Sequence, residues 1–475
     1  MIERTNDSRR AFLAATAATS GLFLFKPLCA RPAFTPEAFG AKGDGITNDS
    51  AAFDALARAV NAARGGTIVL RDRTYLVGAQ RMGRSRRFSF DATPLLELRD
   101  CNQSVLIEGN GARLRAPSGL RYGVFDRGGS ALFKSMPNVD GRDIATPYHA
   151  MIQIERCGEV VIRNIELDGN IAGMVIGGQY GDTGWQIPMI GLLLRDNFGS
   201  ESITGVNSHH HGQDGVMIDG LVNKLIGAPI QRRIVELRCA HNGRQGLSII
   251  GGEGYIFENC SFTSTGRTAI SSAPGAGVDI EAEGGKTISA IHFLGCTFAD
   301  NAGCGMVADS GPSSDARFIR CTFVGTTSWS AWPSKPGYRF AGCTFVGPLV
   351  HAFGSANPAD ATEFSDCLFT DNPSSSPYGR VFAEPREGLP IVDLGGAKGG
   401  GQNVRFIRCR FELVGSARLP WTLASTYTDC TMRQRSPKLS YPRGTFAGTT
   451  HITGLVDLYG STIKGRVIIN KKTLP

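Results

Sequence analysis

The chain has 475 residues and a formal net charge of +8 at pH 7, and 61 of its residues are glycine. Glycine is thus roughly twice as frequent as in an average protein. The glycines are aperiodic and 41% of the residues are hydrophobic, which excludes collagen-like and disordered chains. The basic residues are not clustered and no nucleic-acid-binding motif accompanies them, so no nucleic-acid partner is predicted. A moderate positive charge favours an acidic partner such as a uronate-containing polysaccharide.

The first thirty residues have the features of an export signal. The segment Ser8–Leu13 reads S-R-R-A-F-L, and an apolar stretch from Ala14 to Phe25 is followed by Lys26. This pattern resembles a bacterial twin-arginine signal peptide, which implies cleavage near Ala30 and a periplasmic or secreted product. The stretch is too short to span a bilayer and no later segment is apolar enough, so no membrane span is predicted.

An amphipathic helix is predicted within an N-terminal unit of residues 31–80. Such a helix can cover the open apolar end of a stack of β-strands. The helical pattern ends at Gly65-Gly66, and two short strands are predicted after it. The apolar positions with helical spacing are Phe53, Leu56, Ala57 and Val60.

The segment Phe39–Val77, with Gly43-Asp44-Gly45 and Thr47-Asn48-Asp49 ahead of the helix, closely resembles the opening of pectate-lyase superfamily proteins. The similarity is to their rhamnogalacturonase/epimerase-like branch. The resemblance implies an all-β fold, namely a single-stranded right-handed parallel β-helix with an N-terminal capping helix, and action on polysaccharides. Asp44 and Asp49 are interpreted as turn and cap residues rather than as catalytic groups.

Cysteines mark the coils of the predicted β-helix, which occupies residues 81–475. Six of them begin a C-x-F triplet, and several spacings lie between 21 and 25 residues, the length of one coil. Alternation along a strand places Cys and Phe on the same face, so each coil sends the pair inward. We predict buried, stacked thiols rather than disulfides, and the lack of any C-x-x-C pair argues against zinc. The triplets begin at Cys260, Cys296, Cys321, Cys343, Cys367 and Cys409.

Four consecutive coils align on a glycine and predict a row of carboxylates. Alternation places Asp219, Asp279, Glu281 and Asp309 on the outward face. Glu281 and Asp309 fall on adjacent coils about 4.8 Å apart, and Asp279 and Glu281 lie about 6.6–7 Å apart along one strand. These four residues are the predicted catalytic carboxylates. The aligned segments are Asp214–Asp219, Gln245–Ile250, Ala276–Glu281 and Cys304–Asp309.

The turn before each of these strands is also polar and predicts a substrate-binding edge. The same register stacks His210 on His241 and Gln213 on Arg244. No metal site is predicted from the run His209–His211, because adjacent residues of a strand point to opposite faces. The loops 116–146 and 171–187 are predicted to wall the groove, and their aromatic residues could stack on sugar rings. The predicted substrate-binding residues are Asp214, Gln245, Arg244, His210, His241, Lys286 and Trp185.

Two chemistries fit this face, and a non-catalytic role is the third hypothesis. In a glycoside hydrolase one carboxylic acid protonates the leaving oxygen, while a second carboxylate attacks or activates water. In a polysaccharide lyase a base removes the proton beside a uronate carboxyl, which a cation such as Arg244 or Ca²⁺ neutralises. A carbohydrate-binding β-helix would carry only solvated carboxylates. Hydrolysis without a cofactor is preferred, and Ca²⁺ belongs to the lyase alternative.

Overall fold

The computed structural model describes residues 32–80, 93–126, 128–132, 144–178, 187–222, 230–382, 389–394 and 401–474. The predicted signal peptide and Trp185 lie outside these residues. The described chain is the predicted all-β fold, a single-stranded right-handed parallel β-helix with one α-helix near its N-terminus. Among the described residues, no helix has both the length and the apolarity of a membrane span.

The N-terminal unit closes the first end of the β-helix. The helix Ser50–Ala62 buries the four predicted apolar positions, which confirms the periodicity argument. Asp49 is buried, and its carboxylate accepts hydrogen bonds from the backbone N–H groups of Lys42 at 2.7 Å and Gly43 at 3.0 Å. The carboxylate of Asp44 likewise accepts from the N–H groups of the turn that follows it. The strands of this unit are Ala33–Phe34, Asp44–Asn48, Gly66–Val69 and Thr74–Leu76, and its 3-10 helix is Pro36–Phe39.

One sheet, here called the front sheet, carries the candidate functional residues. Its strands are parallel, and each pairs with the corresponding strand of the next coil. Ile288–Ser289 pairs with the end of one of its strands. The strands of the front sheet are Leu96–Arg99, Ala150–Glu155, Ile190–Arg195, Asp214–Asp219, Gln245–Glu253, Ala276–Ile280, Met306–Ala308 and Trp332–Pro333.

Two further faces, the side sheet and the back sheet, complete each coil. Three long strands bend from one face to the other, namely Val105–Arg115, Val160–Asp168 and Glu201–His209. The other strands of the side sheet are Arg232–Val235, Tyr255–Glu258, Ile291–Leu294, Ala316–Ile319, Arg339–Ala341, Glu363–Ser365, Arg405–Ile407, Thr426–Thr428, Thr445–Ala447 and Thr462–Ile463. The other strands of the back sheet are Arg238–Ala240, Ser261–Thr263, Thr297–Ala299, Thr322–Val324, Thr344–Val346, Leu368–Thr370, Arg410–Leu413, Thr431–Gln434, Thr449–Thr453 and Arg466–Ile469.

A single residue with positive φ forms the corner between the side and back sheets in many coils. Asn110, Asn164 and Asn259 have φ values of 52°, 50° and 53°. Asparagine tolerates this left-handed conformation better than most residues with a side chain, because its amide can bond to nearby backbone groups. A sharp corner of this kind lets the cysteine and phenylalanine that follow it turn inward.

The core consists of stacked side chains in register from coil to coil. The C-x-F cysteines are buried, and the Cys321 thiol donates to the carbonyl oxygen of Phe293 on the preceding coil at 3.4 Å. All eleven cysteines described are unbridged, which confirms the predicted thiols. Phenylalanine rings stack beside them, with centroids 4.5 to 5.5 Å apart along two columns. The first column contains Phe257, Phe293, Phe318, Phe340, Phe364 and Phe406. The second column contains Phe262, Phe298, Phe323, Phe345, Phe369 and Phe411.

A few elements lie outside these three faces. A small sheet and two 3-10 helices belong to the connecting segments, and one strand pairs antiparallel at the C-terminal end. The small sheet consists of Arg121–Val124, Ile144–Ala145 and Val175–Gly177, and the 3-10 helices are Ile171–Gly173 and Pro373–Ser375. Val350–His351 and Val392–Asp393 form a separate parallel pair. The antiparallel strand is Lys472–Thr473.

Candidate active site on the front sheet

The outward surface of the front sheet changes from apolar to acidic along the β-helix. Strand pairing aligns Leu193, Met217, Ser248, Asp279 and Val307 in one outward column, here called the middle column. Leu193 and Met217 belong to a small apolar cluster that is separate from the core. The polar part of the column begins at Ser248. The outward register predicted for Asp279 is therefore confirmed.

Asp279 is held in a buried, hydrogen-bonded position. Only 5% of the residue is exposed. The Gln245 side-chain amide donates to Asp279 Oδ2 at 2.7 Å, and Gln245 Oε1 accepts from the Ala276 N–H at 3.1 Å. The backbone contact orients the amide so that its NH₂ group faces the carboxyl. Gln245, predicted to bind substrate, thus positions Asp279.

Burial changes the acidity of this carboxyl. Loss of solvent and the nearby Glu281 carboxylate raise the pKa of Asp279 to about 8. Two coils earlier, Asp214 accepts from Ser248 Oγ at 2.9 Å, and burial raises the pKa of Asp214 to about 6. A carboxyl with a pKa of about 8, as in Asp279, carries a proton at neutral pH and can act as a general acid.

Arg244 supplies positive charge to the same place. Its guanidinium opposes the burial effect on the pKa of both Asp214 and Asp279. Three buried atoms near the starts of the strands Asp214–Asp219 and Gln245–Glu253 have no hydrogen-bond partner within the described part of the chain. They are Arg244 Nε, Gln213 Oε1 and Asp214 Oδ1. Buried polar atoms are normally satisfied, so a set of unpaired ones beside a carboxyl cluster suits a polar ligand.

Glu281 and Asp309 lie directly after the front-sheet strands Ala276–Ile280 and Met306–Ala308. Glu281 is half-buried and accepts a hydrogen bond from Ser310 Oγ, whereas Asp309 is exposed. Both carboxylates contribute to the raised pKa of Asp279, which places them in electrostatic range of it. The structure thus brings together three of the four predicted catalytic carboxylates.

Asp219 and Lys286 form a separate ion-pair network. Asp219 accepts from Arg195 Nε at 3.0 Å and from Lys286 Nζ, and the same Nζ contacts Asp196 Oδ1 at 2.7 Å. Each oxygen of the Asp219 carboxylate is thus occupied by a cation of the protein. We therefore assign Asp219 and Lys286 to the framework, in contrast to their predicted catalytic and substrate-binding roles.

We expect Asp219→Asn to act mainly on stability. Losing one partner of two charge-assisted hydrogen bonds is expected to lower the free energy of unfolding by about 1–3 kcal/mol. Urea unfolding and steady-state kinetics would be measured on the same preparation, with Asp196→Asn as the matched control at the other end of Lys286. Loss of activity at unchanged stability would return Asp219 to the catalytic set.

The histidines of the turn contact the back sheet rather than the carboxyl cluster. The rings of His210 and His241 stack with centroids 5.1 Å apart, as predicted. His241 Nδ1 contacts the Arg267 carbonyl oxygen at 3.1 Å, and His210 Nδ1 lies 2.6 Å from His209 Nδ1. His211 is buried, which lowers its pKa to about 3, and it contacts the Tyr148 hydroxyl at 2.9 Å. These contacts do not support the predicted role of His210 and His241 in the groove.

An aromatic stack continues the middle column. Trp332 pairs with Val307, and its ring stacks on His351 at 4.4 Å between centroids. Trp329 packs against Trp332. Tyr338, six residues after Trp332, is fully buried in the core and is not part of this stack. His351 was missed because its strand lacks the glycine on which the four earlier front-sheet strands were aligned, so its register could not be read.

Comparisons with known proteins give distant structural likenesses. Scans against models of known families and against curated sequences give no match. The A-module of a mannuronan C-5 epimerase of Azotobacter vinelandii is 17% identical over 90% of this chain and 99% of that one, with a TM-score of 0.47. A tailspike protein mutant of E. coli bacteriophage HK620, in complex with a hexasaccharide, is 12% identical over 92% of this chain and 66% of that one, with a TM-score of 0.39. Likenesses this distant carry no information about substrate or reaction.

Proposed function

We propose that this chain is a carbohydrate-active enzyme that hydrolyses glycosidic bonds on its front sheet. The observation that carries the proposal is the buried Asp279 carboxyl, which accepts a hydrogen bond from Gln245 and lies two residues along the chain from Glu281. Asp279 would be the general acid. Glu281, together with Asp309, would supply the ionised carboxylate that attacks the sugar or activates water.

The two environments separate the roles of the carboxyls. Hydrolysis needs one carboxyl that keeps its proton and a second that loses it. Burial and the field of Glu281 keep the proton on Asp279, with a pKa of about 8. Glu281 is less buried and accepts a hydrogen bond from the Ser310 hydroxyl. The nearby Glu281 carboxylate thus helps to keep Asp279 protonated.

The rest of the face suits a polysaccharide or oligosaccharide chain. The stacked Trp332 and His351 rings extend the column that contains Asp279, and flat aromatic surfaces pack well against sugar rings. Arg244 adds a cation for an acidic sugar. The signal-like residues 1–30 support export, and we place the enzyme in the periplasm or the medium of a bacterium.

Arg244 also favours a second candidate, a polysaccharide lyase. A guanidinium whose Nε has no partner among the described residues can neutralise a uronate carboxyl, and β-elimination requires that step. In this version Ca²⁺ would assist Arg244. A purely carbohydrate-binding role is less well supported, because it predicts solvated carboxylates and Asp279 is buried.

A panel of neutral and uronate-containing polysaccharides tests these candidates. Hydrolysis predicts new reducing ends without the ultraviolet absorbance of unsaturated uronates. Equal growth of both signals would replace hydrolysis by elimination, and loss of that activity in chelator would assign Ca²⁺ to it. Binding without either signal across the panel would support the non-catalytic role.

A further inference from the structure

A second cluster of polar side chains lies on the back sheet, away from the carboxyls of the proposed active site. It consists of Asp168, His209 and His210, here called the back-sheet cluster. Asp168 and His209 are paired neighbours on adjacent strands. One ligand-type atom from each of the three residues lies within 4.8 Å of the others.

The turn geometry makes this cluster possible. His209 ends the strand Glu201–His209, and His210 follows it with φ at 57°, in the left-handed region. The chain therefore turns between them, and the two rings face each other with their Nδ1 atoms 2.6 Å apart. Alternation along a strand, which had argued against a metal site in this run, ends at His209.

Glu166 fixes which nitrogen of His209 is available. Its carboxylate lies 2.8 Å from His209 Nε2. A carboxylate can only accept, so Nε2 carries the hydrogen and the Nδ1 lone pair points towards His210 Nδ1 and Asp168. A carboxylate behind a histidine is the usual outer contact of a metal-binding imidazole. His241 stacks on the far side of His210 and holds that ring in place.

We propose that Asp168, His209 and His210 bind a divalent transition metal, with zinc the best match. Two imidazole nitrogens and one carboxylate oxygen are a donor set that zinc accepts, with a fourth position left for water. At this distance His209 Nδ1 can accept a hydrogen from His210 Nδ1. A bound metal ion would displace that hydrogen and take both lone pairs, once the ligand atoms have moved apart to coordination spacing.

The surrounding charges are balanced. Arg113 Nε and Arg115 Nε lie 3.6 and 3.5 Å from Asp168 Oδ2, and Arg113 also pairs with Glu166. Two arginines offset the two carboxylates, so moderate rather than tight affinity is expected. Both arginines line a cavity of about 470 Å³, which leaves open space beside the cluster for a water or another exchangeable ligand.

Titration of the tag-free protein with Zn²⁺ and with Co²⁺ tests the proposal. Isothermal calorimetry is expected to show one saturable Zn²⁺ site, and Co²⁺ to give the visible absorption of a site with nitrogen ligands. His209→Ala and His210→Ala should each abolish saturable binding, whereas His292→Ala, a histidine on the side sheet, should leave it unchanged. Glu166→Gln should weaken binding by about 10–100-fold without removing it.

Several outcomes would overturn the assignment. Absence of saturable binding to the wild type at neutral pH would do so. Binding that survives in the His209→Ala/His210→Ala double variant would place the metal elsewhere. Binding should also weaken as the pH is lowered, because protonated imidazole cannot ligate a metal. Since Glu166→Gln preserves shape, its circular dichroism spectrum separates weakened binding from misfolding.

Discussion

Replacing Asp279 by asparagine is expected to lower kcat/KM for the natural substrate by about 10²–10⁴-fold, the usual contribution of a general acid. Asparagine keeps the size of the side chain and can still meet the Gln245 amide, but it has no acidic proton for the leaving oxygen. The measurement is steady-state release of reducing ends from the polysaccharide that the panel identifies. Asp315→Asn is the matched control, because that carboxyl is 47% exposed and its positive φ of 50° suits asparagine.

The same variant has a diagnostic second substrate. An aryl glycoside with a weakly basic leaving group needs little protonation, so Asp279→Asn should retain far more activity on it than on the natural bond. Equal losses on both substrates would remove Asp279 from the acid role and leave it a structural one.

Asp279→Asn is expected to lower activity, but its folding stability should increase relative to the wild type as the pH rises. The folded-state pKa of Asp279 is about 8 and its ordinary value is 3.8, so the folded protein binds the proton more tightly than the unfolded chain. The resulting stabilisation is fully present below about pH 4 and is lost as pH rises through about 8. Asp279→Asn lacks this slope, so its unfolding free energy should gain on the wild type as pH increases.

Truncating a ring in the middle of the aromatic columns is expected to cause the largest loss of stability. Phe323 is fully buried and stacks between Phe298 at 4.5 Å and Phe345 at 4.9 Å. Phe323→Ala should cost about 3–5 kcal/mol, from lost burial and from the cavity that the rigid coils cannot fill. Phe198→Ala, at a position that is 44% exposed, should cost far less.

The repeat architecture makes the form of unfolding informative as well. Strands pair only with the strands of neighbouring coils, so a weak rung can separate the two ends into independent units. Urea unfolding followed by tryptophan fluorescence and by circular dichroism should give transitions that diverge in Phe323→Ala. A loss below about 1 kcal/mol with coincident transitions would contradict the stacked-column description of the core.

Much of the fold could be predicted because repetition amplifies weak signals. One C-x-F triplet means little, but six of them, with three of the five spacings between 22 and 25 residues, place Cys and Phe on the inward face throughout. The capping helix was equally readable, since Phe53, Leu56 and Val60 recur with helical spacing and are buried. The same alternation correctly gave the outward register of Asp279.

The candidate site was less predictable because contacts across coils depend on side-chain reach. Asp219 and Glu281 look alike in the sequence, yet Asp219 pairs with Arg195 and Lys286 while Glu281 meets Ser310. Lys286 reaches Asp196, ninety residues earlier. Strict alternation could not be assumed across the histidine run, because His210 is left-handed and ends the alternation after His209.

The protonation state of Asp279 is the most direct test of the proposed active site. Infrared difference spectra between the wild type and Asp279→Asn would isolate the carbonyl stretch of this one carboxyl as pH is raised. If Asp279 is the general acid, a protonated band is expected at neutral pH and should disappear with a midpoint near 8. An Asp279 carboxyl that is already ionised at pH 6 or below would contradict its assignment as the general acid.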